Sequence, residues 1–146
     1  MTRTPGDVVH ALVAAMSALD ADGAMQLAAE DIVFENVPIP LPAGSVQGRD
    51  IVHLQTAGWM QATVRAAWTI HRQIEQGEVV MHERTDEMWF PEGLFPGGDH
   101  IALPVMAVWE VRDGSIRLWR DYYDLGMFSA SLGVDMAEFG RILGGG

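Results

Sequence analysis

The chain has 146 residues, 49% of them hydrophobic and 20% charged, with a mean hydropathy of +0.10, which fits one compact domain over 1–146 and excludes a long disordered tail. It holds no cysteine, so a disulfide framework, a thiolate nucleophile and a Cys-ligated zinc or iron–sulfur centre are excluded. Nine Lys plus Arg against 20 Asp plus Glu give a formal charge of −11 and a pI near 4.6, which repels phosphate backbones and anionic membranes, so neither nucleic acid nor a membrane is an expected partner.

Thr4-Pro5-Gly6-Asp7 predicts a helix start, with Thr4 as cap, Pro5 in the first turn and Asp7 near the positive end of the macrodipole. Val8, Leu12, Ala15, Met16 and Leu19 follow at helical spacing as one apolar stripe. His10, Ser17 and Asp20 interrupt it, so it reads neither as a bilayer span nor as a signal peptide, and the cytoplasm is the expected location. Asp22-Gly23 predicts the cap of a second short helix over Ala24 to Glu30, and Ile32 to Val37 predicts a strand that stops at Pro38. Prolines 38, 40 and 42 force an extended loop.

Gly48 to Ala62 carries weaker helical periodicity through Ile51, Leu54 and Trp59. The period then changes to two. Val64, Ala66, Trp68 and Ile70 alternate with polar or small neighbours, and strands are predicted over Glu78 to Phe90, Ile101 to Arg112 and Ser115 to Leu125. Asp113-Gly114 is the hairpin signal between the last two, and a short helix is predicted near Asp135 to Leu143. Helices followed by long antiparallel strands predict an α+β fold, a curved sheet wrapped over the N-terminal helices with an apolar hollow between them.

Two segments carry the chemistry. Strand alternation puts Val80, His82, Arg84, Asp86 and Met88 on one face, and Trp119, Asp121 and Tyr123 on one face opposite Ile116, Leu118 and Arg120. A lone Asp in a strand is ordinarily a solvent-facing member of an amphipathic pattern. Arg84, Asp86 and Asp121 on apolar-flanked strands form a set that is costly to bury unless every partner is satisfied, which describes a reactive site or a structural ion network.

At these residues the chain resembles the limonene-1,2-epoxide hydrolase family. The shared pattern is Asn36-Val37-Pro38, Glu83-Arg84-Thr85-Asp86, Val108-Trp109-Glu110-Val111 through Gly114, and Trp119-Arg120-Asp121-Tyr122-Tyr123-Asp124-Leu125, covering the chain from the first helix to Phe128. The resemblance implies an NTF2-like cone, a homodimer, and cofactor-independent addition of water to an epoxide without a covalent intermediate. It assigns Asp121 as the base that activates water, Asp86 as the acid that protonates the epoxide oxygen, Arg84 as the bridge between them, and Asn36 as a holder of the water. The family places a Tyr two residues before this Asn, where the chain has Phe34. That leaves the water one partner short, which implies either a slower or redirected hydrolase or a relative that kept only the pocket. Tyr123, where the family commonly has Phe, is the candidate replacement hydroxyl.

An apolar substrate is expected, with Val13, Met16, Phe34, Trp59, Met88, Leu103, Val105, Tyr123 and Phe128 as candidates for its contacts; each is individually ordinary core by its pattern. The five His are scattered without metal-ligand spacing, so no metal is expected, and no nucleotide-binding Gly pattern or Gly-x-Ser-x-Gly elbow occurs, so no cofactor is expected either. His82 shares the face of Arg84 and Asp86, where it could tune a shared proton. The favoured reading is an epoxide hydrolase. An isomerase or cyclase using one buried Asp, and a non-catalytic ligand-binding module, are the alternatives.

Overall fold

The computed structural model describes residues 3–144, and in it helix α1 (Pro5–Ser17) starts at the predicted cap. The Thr4 hydroxyl accepts from the amide of Asp7 at 3.1 Å while the Asp7 carboxylate accepts from the amide of Thr4 at 3.2 Å, a reciprocal capping box. The second helix, α2 (Ala21–Met25), begins earlier than predicted, because the carboxylate of Asp20 rather than Asp22 caps it through the amide of Gly23 at 2.9 Å. Residues Ala28 to Glu30, expected as helix, open strand β1 (Ala28–Asn36) instead, where Ala28 lies beside Ile116. Pairing with a neighbouring strand has overridden the local preference.

A short strand the pattern did not predict, β2 (Ser45–Gln47), follows the proline loop and pairs with β1. Then come α3 (Arg49–Ala62), β3 (Arg65–Gln76), β4 (Val79–Trp89), β5 (His100–Arg112) and β6 (Ser115–Tyr122). They make one six-stranded sheet in the order β2-β1-β6-β5-β4-β3, antiparallel throughout except for the parallel β1–β6 pair. Asp113 and Gly114 both have positive φ, 52° and 78°, which turns the β5–β6 hairpin in the sense that matches strand twist.

The predicted last strand is shorter than expected. Beyond Tyr122 the chain turns into α4 (Gly126–Leu132), whose first amide, that of Gly126, donates to the Asp124 carboxylate at 2.8 Å. Gly133 ends α4 in the left-handed conformation at φ 74°, and α5 (Met136–Gly144) follows. The end of α4 lies so close to the loop after β4 that the amide of Gly97 donates to the Leu132 carbonyl at 2.8 Å, and a Cβ on Gly97 would meet the Gly133 nitrogen at 2.5 Å.

One parity expectation is corrected. Ile116, expected to face away from Trp119, is fully buried with it, because the β5–β6 register shifts between Glu110 and Val111 and leaves Arg117 as an extra residue. The bulge lets Ile116, Trp119 and Asp121 all point inward. Two apolar clusters fill the concave side. The first packs α1 against Trp109, Trp119 and Ile116; the second packs Met88, Leu103 and Val105 against Phe128, Leu132 and the inner side of α5. Among the described residues no helix is long and apolar enough to cross a membrane.

Candidate active site

A transverse row of residues crosses four strands where the two clusters meet. His82 on β4 faces Ala107 on β5, Ala107 faces Asp121 on β6, and Asp121 faces Asn36 on β1. The small side chain of Ala107 leaves space over the middle of the row. Arg84, two residues along β4, lays its guanidinium there.

Arg84, Asp86 and Asp121 are 1%, 4% and 5% exposed, yet every N–H of the guanidinium has an acceptor. Nε donates to Asp86 Oδ1 at 2.7 Å and Nη2 to Asp86 Oδ2 at 3.0 Å; Nη2 also donates to Asp121 Oδ2 at 2.8 Å and Nη1 to Asp121 Oδ1 at 3.1 Å. The fifth N–H, on Nη1, points at His82 Nε2, 3.1 Å away. The guanidinium carbon lies over two indole rings, 4.8 Å from the centroid of Trp68 and 5.9 Å from that of Trp109.

Trp119 adds a third donor to Asp121, its Nε1 lying 2.9 Å from Oδ1. Burial pushes the Asp86 carboxyl up to about 6, since desolvation outweighs the charge and hydrogen bonds of Arg84 and the nearby Asp121 adds repulsion. Burial alone would lower the guanidinium, but the two carboxylates more than reverse that and hold it charged. Trp68 Nε1 is buried beside the guanidinium with no acceptor among the described residues.

The remaining predicted residues divide by place. Asn36 stands next to Asp121, and its Oδ1 accepts from the Tyr123 hydroxyl at 2.9 Å. Burial, then the charges of Asp121 and Asp86, raise the Tyr123 phenol well above its ordinary value, so it stays a donor. Phe34 stacks on Trp119 with ring centroids 4.3 Å apart, offering the site a ring and no donor. Met88, Leu103, Val105 and Phe128 lie in the second cluster on the Asp86 side, with Trp59 and Tyr123 at its edge. Val13 and Met16 are buried under the first cluster with α1.

Sequence reading did not assign Trp68, Trp109 or Gln73 to the site; the two indoles lie by Arg84, and Trp109 and Gln73 bond His82, contacts that cross between strands. Arg120, placed off the reactive face, pairs outside it with Glu35 at 3.0 Å. A polar cleft of about 490 Å³ between Asp31, Arg49, Arg112 and Arg117 includes none of the trio, and its arginines are engaged by Asp31, Glu78 and the Ala28 carbonyl. Among the described residues no group of three or more acidic or imidazole ligands converges as a metal site would require.

The model for the limonene-1,2-epoxide hydrolase catalytic domain matches residues 3–132. Epoxide hydrolase EphG of Mycobacterium tuberculosis is 35% identical over 117 residues, covering 80% of this chain and 71% of the relative. A solved M. tuberculosis LEH-like epoxide hydrolase superposes with a TM-score of 0.70 at 32% identity, over 86% of this chain and 82% of that one. An NTF2-like protein of Cytophaga hutchinsonii shares the fold at 16% identity, with a TM-score of 0.65 over 85% of this chain and 93% of its own.

Replacing Arg84 with Leu strands two buried carboxyls, and a loss of about 3–5 kcal/mol in urea unfolding is expected at neutral pH. Arg84→Lys retains the charge but not the fork, and its loss should be smaller. An Arg84→Leu protein as stable as the parent would show that the ion network does not hold the interior together.

Proposed function

The chain belongs to the limonene-1,2-epoxide hydrolase family, and on that premise we propose that it adds water to a small lipophilic, terpenoid-like epoxide in one step, giving a vicinal diol. The observation that carries this reading is a single buried guanidinium gripped by two carboxylates, one of which has its proton affinity raised. Opening an unactivated epoxide near neutral pH needs a water made more nucleophilic on one side and an alkoxide protonated as it forms on the other. Asp121, with three N–H donors, takes the proton of the attacking water as the new C–O bond forms. Asp86 gives its proton to the epoxide oxygen as the old C–O bond breaks. Arg84 then bridges a protonated Asp121 and an ionised Asp86, and a proton returned from one to the other resets the site.

Asn36 and Tyr123 hold the water in this reading. Phe34 supplies no hydroxyl, and the Tyr123 hydroxyl fixes the Asn36 carboxamide beside Asp121. The apolar residues of the second cluster suit a lipophilic substrate approaching from the Asp86 side. Two copies are proposed to pair through the outer face of the sheet, where the exposed pairs Ile74–Met81 and Met106–Tyr122 lie two residues out of register with each other.

Asp86→Asn and Asp121→Asn should each lower diol formation by about 10²-fold or more while the protein stays folded, and the parent should place one oxygen from labelled water in the diol. The acid is present below its midpoint and lost above it, so kcat/KM for the parent should fall as pH rises through and beyond about 6. Either Asn variant working at near-parental rate removes that residue from the mechanism, and product without labelled oxygen removes hydrolysis.

Tyr123→Phe should lower kcat by up to about tenfold, the worth of one ordinary hydrogen bond, and Phe34→Tyr added to it should recover part of the loss. An unchanged rate in Tyr123→Phe would mean that the water is held without this hydroxyl. For the pairing of copies, Met106→Glu should sediment as a monomer where the parent sediments as a dimer; a monomeric parent ends that part of the proposal.

A further inference from the structure

His82 lies outside the acid–base pair, yet it is 2% exposed and hydrogen-bonded at both ring nitrogens. Nε2 is 3.1 Å from Arg84 Nη1 and 3.3 Å from Trp109 Nε1. A guanidinium and an indole N–H can only donate, so Nε2 must carry the lone pair. The proton is then on Nδ1, which donates to Gln73 Oε1 at 2.9 Å. Gln73 is itself anchored, its Nε2 donating to the Gly6 carbonyl in the first turn of α1 at 3.4 Å.

We propose that His82 is a positioning residue for the reaction: as a neutral acceptor it takes the fifth N–H of Arg84 and so fixes the tilt of the fork between Asp86 and Asp121. This inference deepens the hydrolase reading and rests on it for its catalytic meaning. Without that acceptor the freed N–H, on an Nη1 that already donates its other proton to Asp121 Oδ1, is left buried and unpaired, so the guanidinium tilts to find another partner and the fork slides off Asp86. Asp86 then loses the two hydrogen bonds that favour its ionised form.

Among the described residues, the charged and titratable groups acting on His82 are Arg84 on its own strand and His10 from α1; β3 and β5 present the neutral Gln73 and Trp109 to its ring, and the Glu75 carboxylate of β3 lies beyond Gln73, accepting from the amide of Gly6 at 3.2 Å. Burial first, then Arg84 and His10, lower the imidazole to about 3, so the ring stays a neutral acceptor well below neutral pH. The unfolded chain takes up this proton near the ordinary histidine value of 6.5 and the folded one only near 3, so stability drains away as pH falls between them.

Two measurements test this. Nitrogen-15 NMR of the imidazole in the parent protein should show a neutral ring with the proton on Nδ1 at pH 7, unchanged down to about pH 4. A proton on Nε2, or an imidazolium at pH 6–7, overturns the proposal. The second compares two amides of similar polarity. His82→Gln places a carbonyl oxygen where Nε2 was and keeps the bond to Arg84; His82→Asn reaches only as far as Nδ1, keeping Gln73 and losing Arg84.

The Gln variant should keep kcat within a few-fold, whereas the Asn variant should lose about tenfold or more at similar KM, a charged hydrogen bond being lost. Carbonyl NMR should show the Asp86 carboxyl releasing its proton at higher pH in His82→Asn than in the parent. A residue that merely filled space or anchored Gln73 would give the reverse order of variants or none, and either result overturns the proposal. Should the parent open no epoxide, the hydrolase reading fails alone, because ring tautomer and Asp86 titration still decide the place of His82.

Discussion

A guanidinium is among the most expensive groups to bury, and the interior of this protein is arranged around one. Arg84 is tolerable there only because its five N–H groups meet four carboxylate oxygens and one imidazole nitrogen, with its carbon over two indole rings. That demand fixes more than one side chain. Asp121 comes within reach only if β6 lies next to β5 in the observed register, with a residue as small as Ala107 between it and β4. The bulge at Arg117 is needed as well, since it brings Ile116 inward with Trp119 and closes the apolar floor beneath Asp121.

The pieces legible in the sequence were those that a single strand or helix determines. Alternation by two placed Arg84 and Asp86 on one side of β4, and the Thr4–Asp7 spacing marked the start of α1. The α+β class followed from helices preceding long strands, and the resemblance at Arg84-x-Asp86 and Trp119-Arg120-Asp121-Tyr122 supplied the family. What escaped depends on which strands are neighbours. The bond from Trp109 to His82 joins residues 27 positions apart; Tyr123 was named as a candidate hydroxyl, but its direct bond to Asn36, 87 positions away, is likewise a contact no local period encodes. Helix α4, which begins just past the predicted strand end at Leu125, was not predicted because it is only seven residues long and no side chain caps it; its one local signal is the Asp124 carboxylate accepting from the amide of Gly126.

On the proposed reading, Tyr123 supplies near Asn36 the hydroxyl that Phe34 lacks. A ring without a hydroxyl at position 34 leaves Trp119 well stacked but gives nothing polar to Asn36. The hydroxyl arrives from the other side, carried by a residue just past the end of β6 whose backbone is free to turn. The carboxamide of Asn36 is thereby oriented through its oxygen. Substituting position 34 and position 123 should therefore not be independent, since both act on one amide.

Net charge explains why the fifth partner of Arg84 is an imidazole and not a third carboxylate. With one proton on Asp86, the buried group of Arg84, Asp86, Asp121 and His82 sums to zero. A carboxylate at position 82 would leave an uncompensated negative charge, and a protonated histidine an uncompensated positive one; either would cost heavily at this depth. A neutral nitrogen supplies the acceptor without altering the sum. The same zero holds on both sides of the proposed reaction, where Asp121 gains the proton of water as Asp86 gives one to the epoxide oxygen. Removing the shared proton leaves the group at minus one, which is why burial drives Asp86 to keep it up to about 6. In the proposed reaction, therefore, no step changes the charge that this buried group carries.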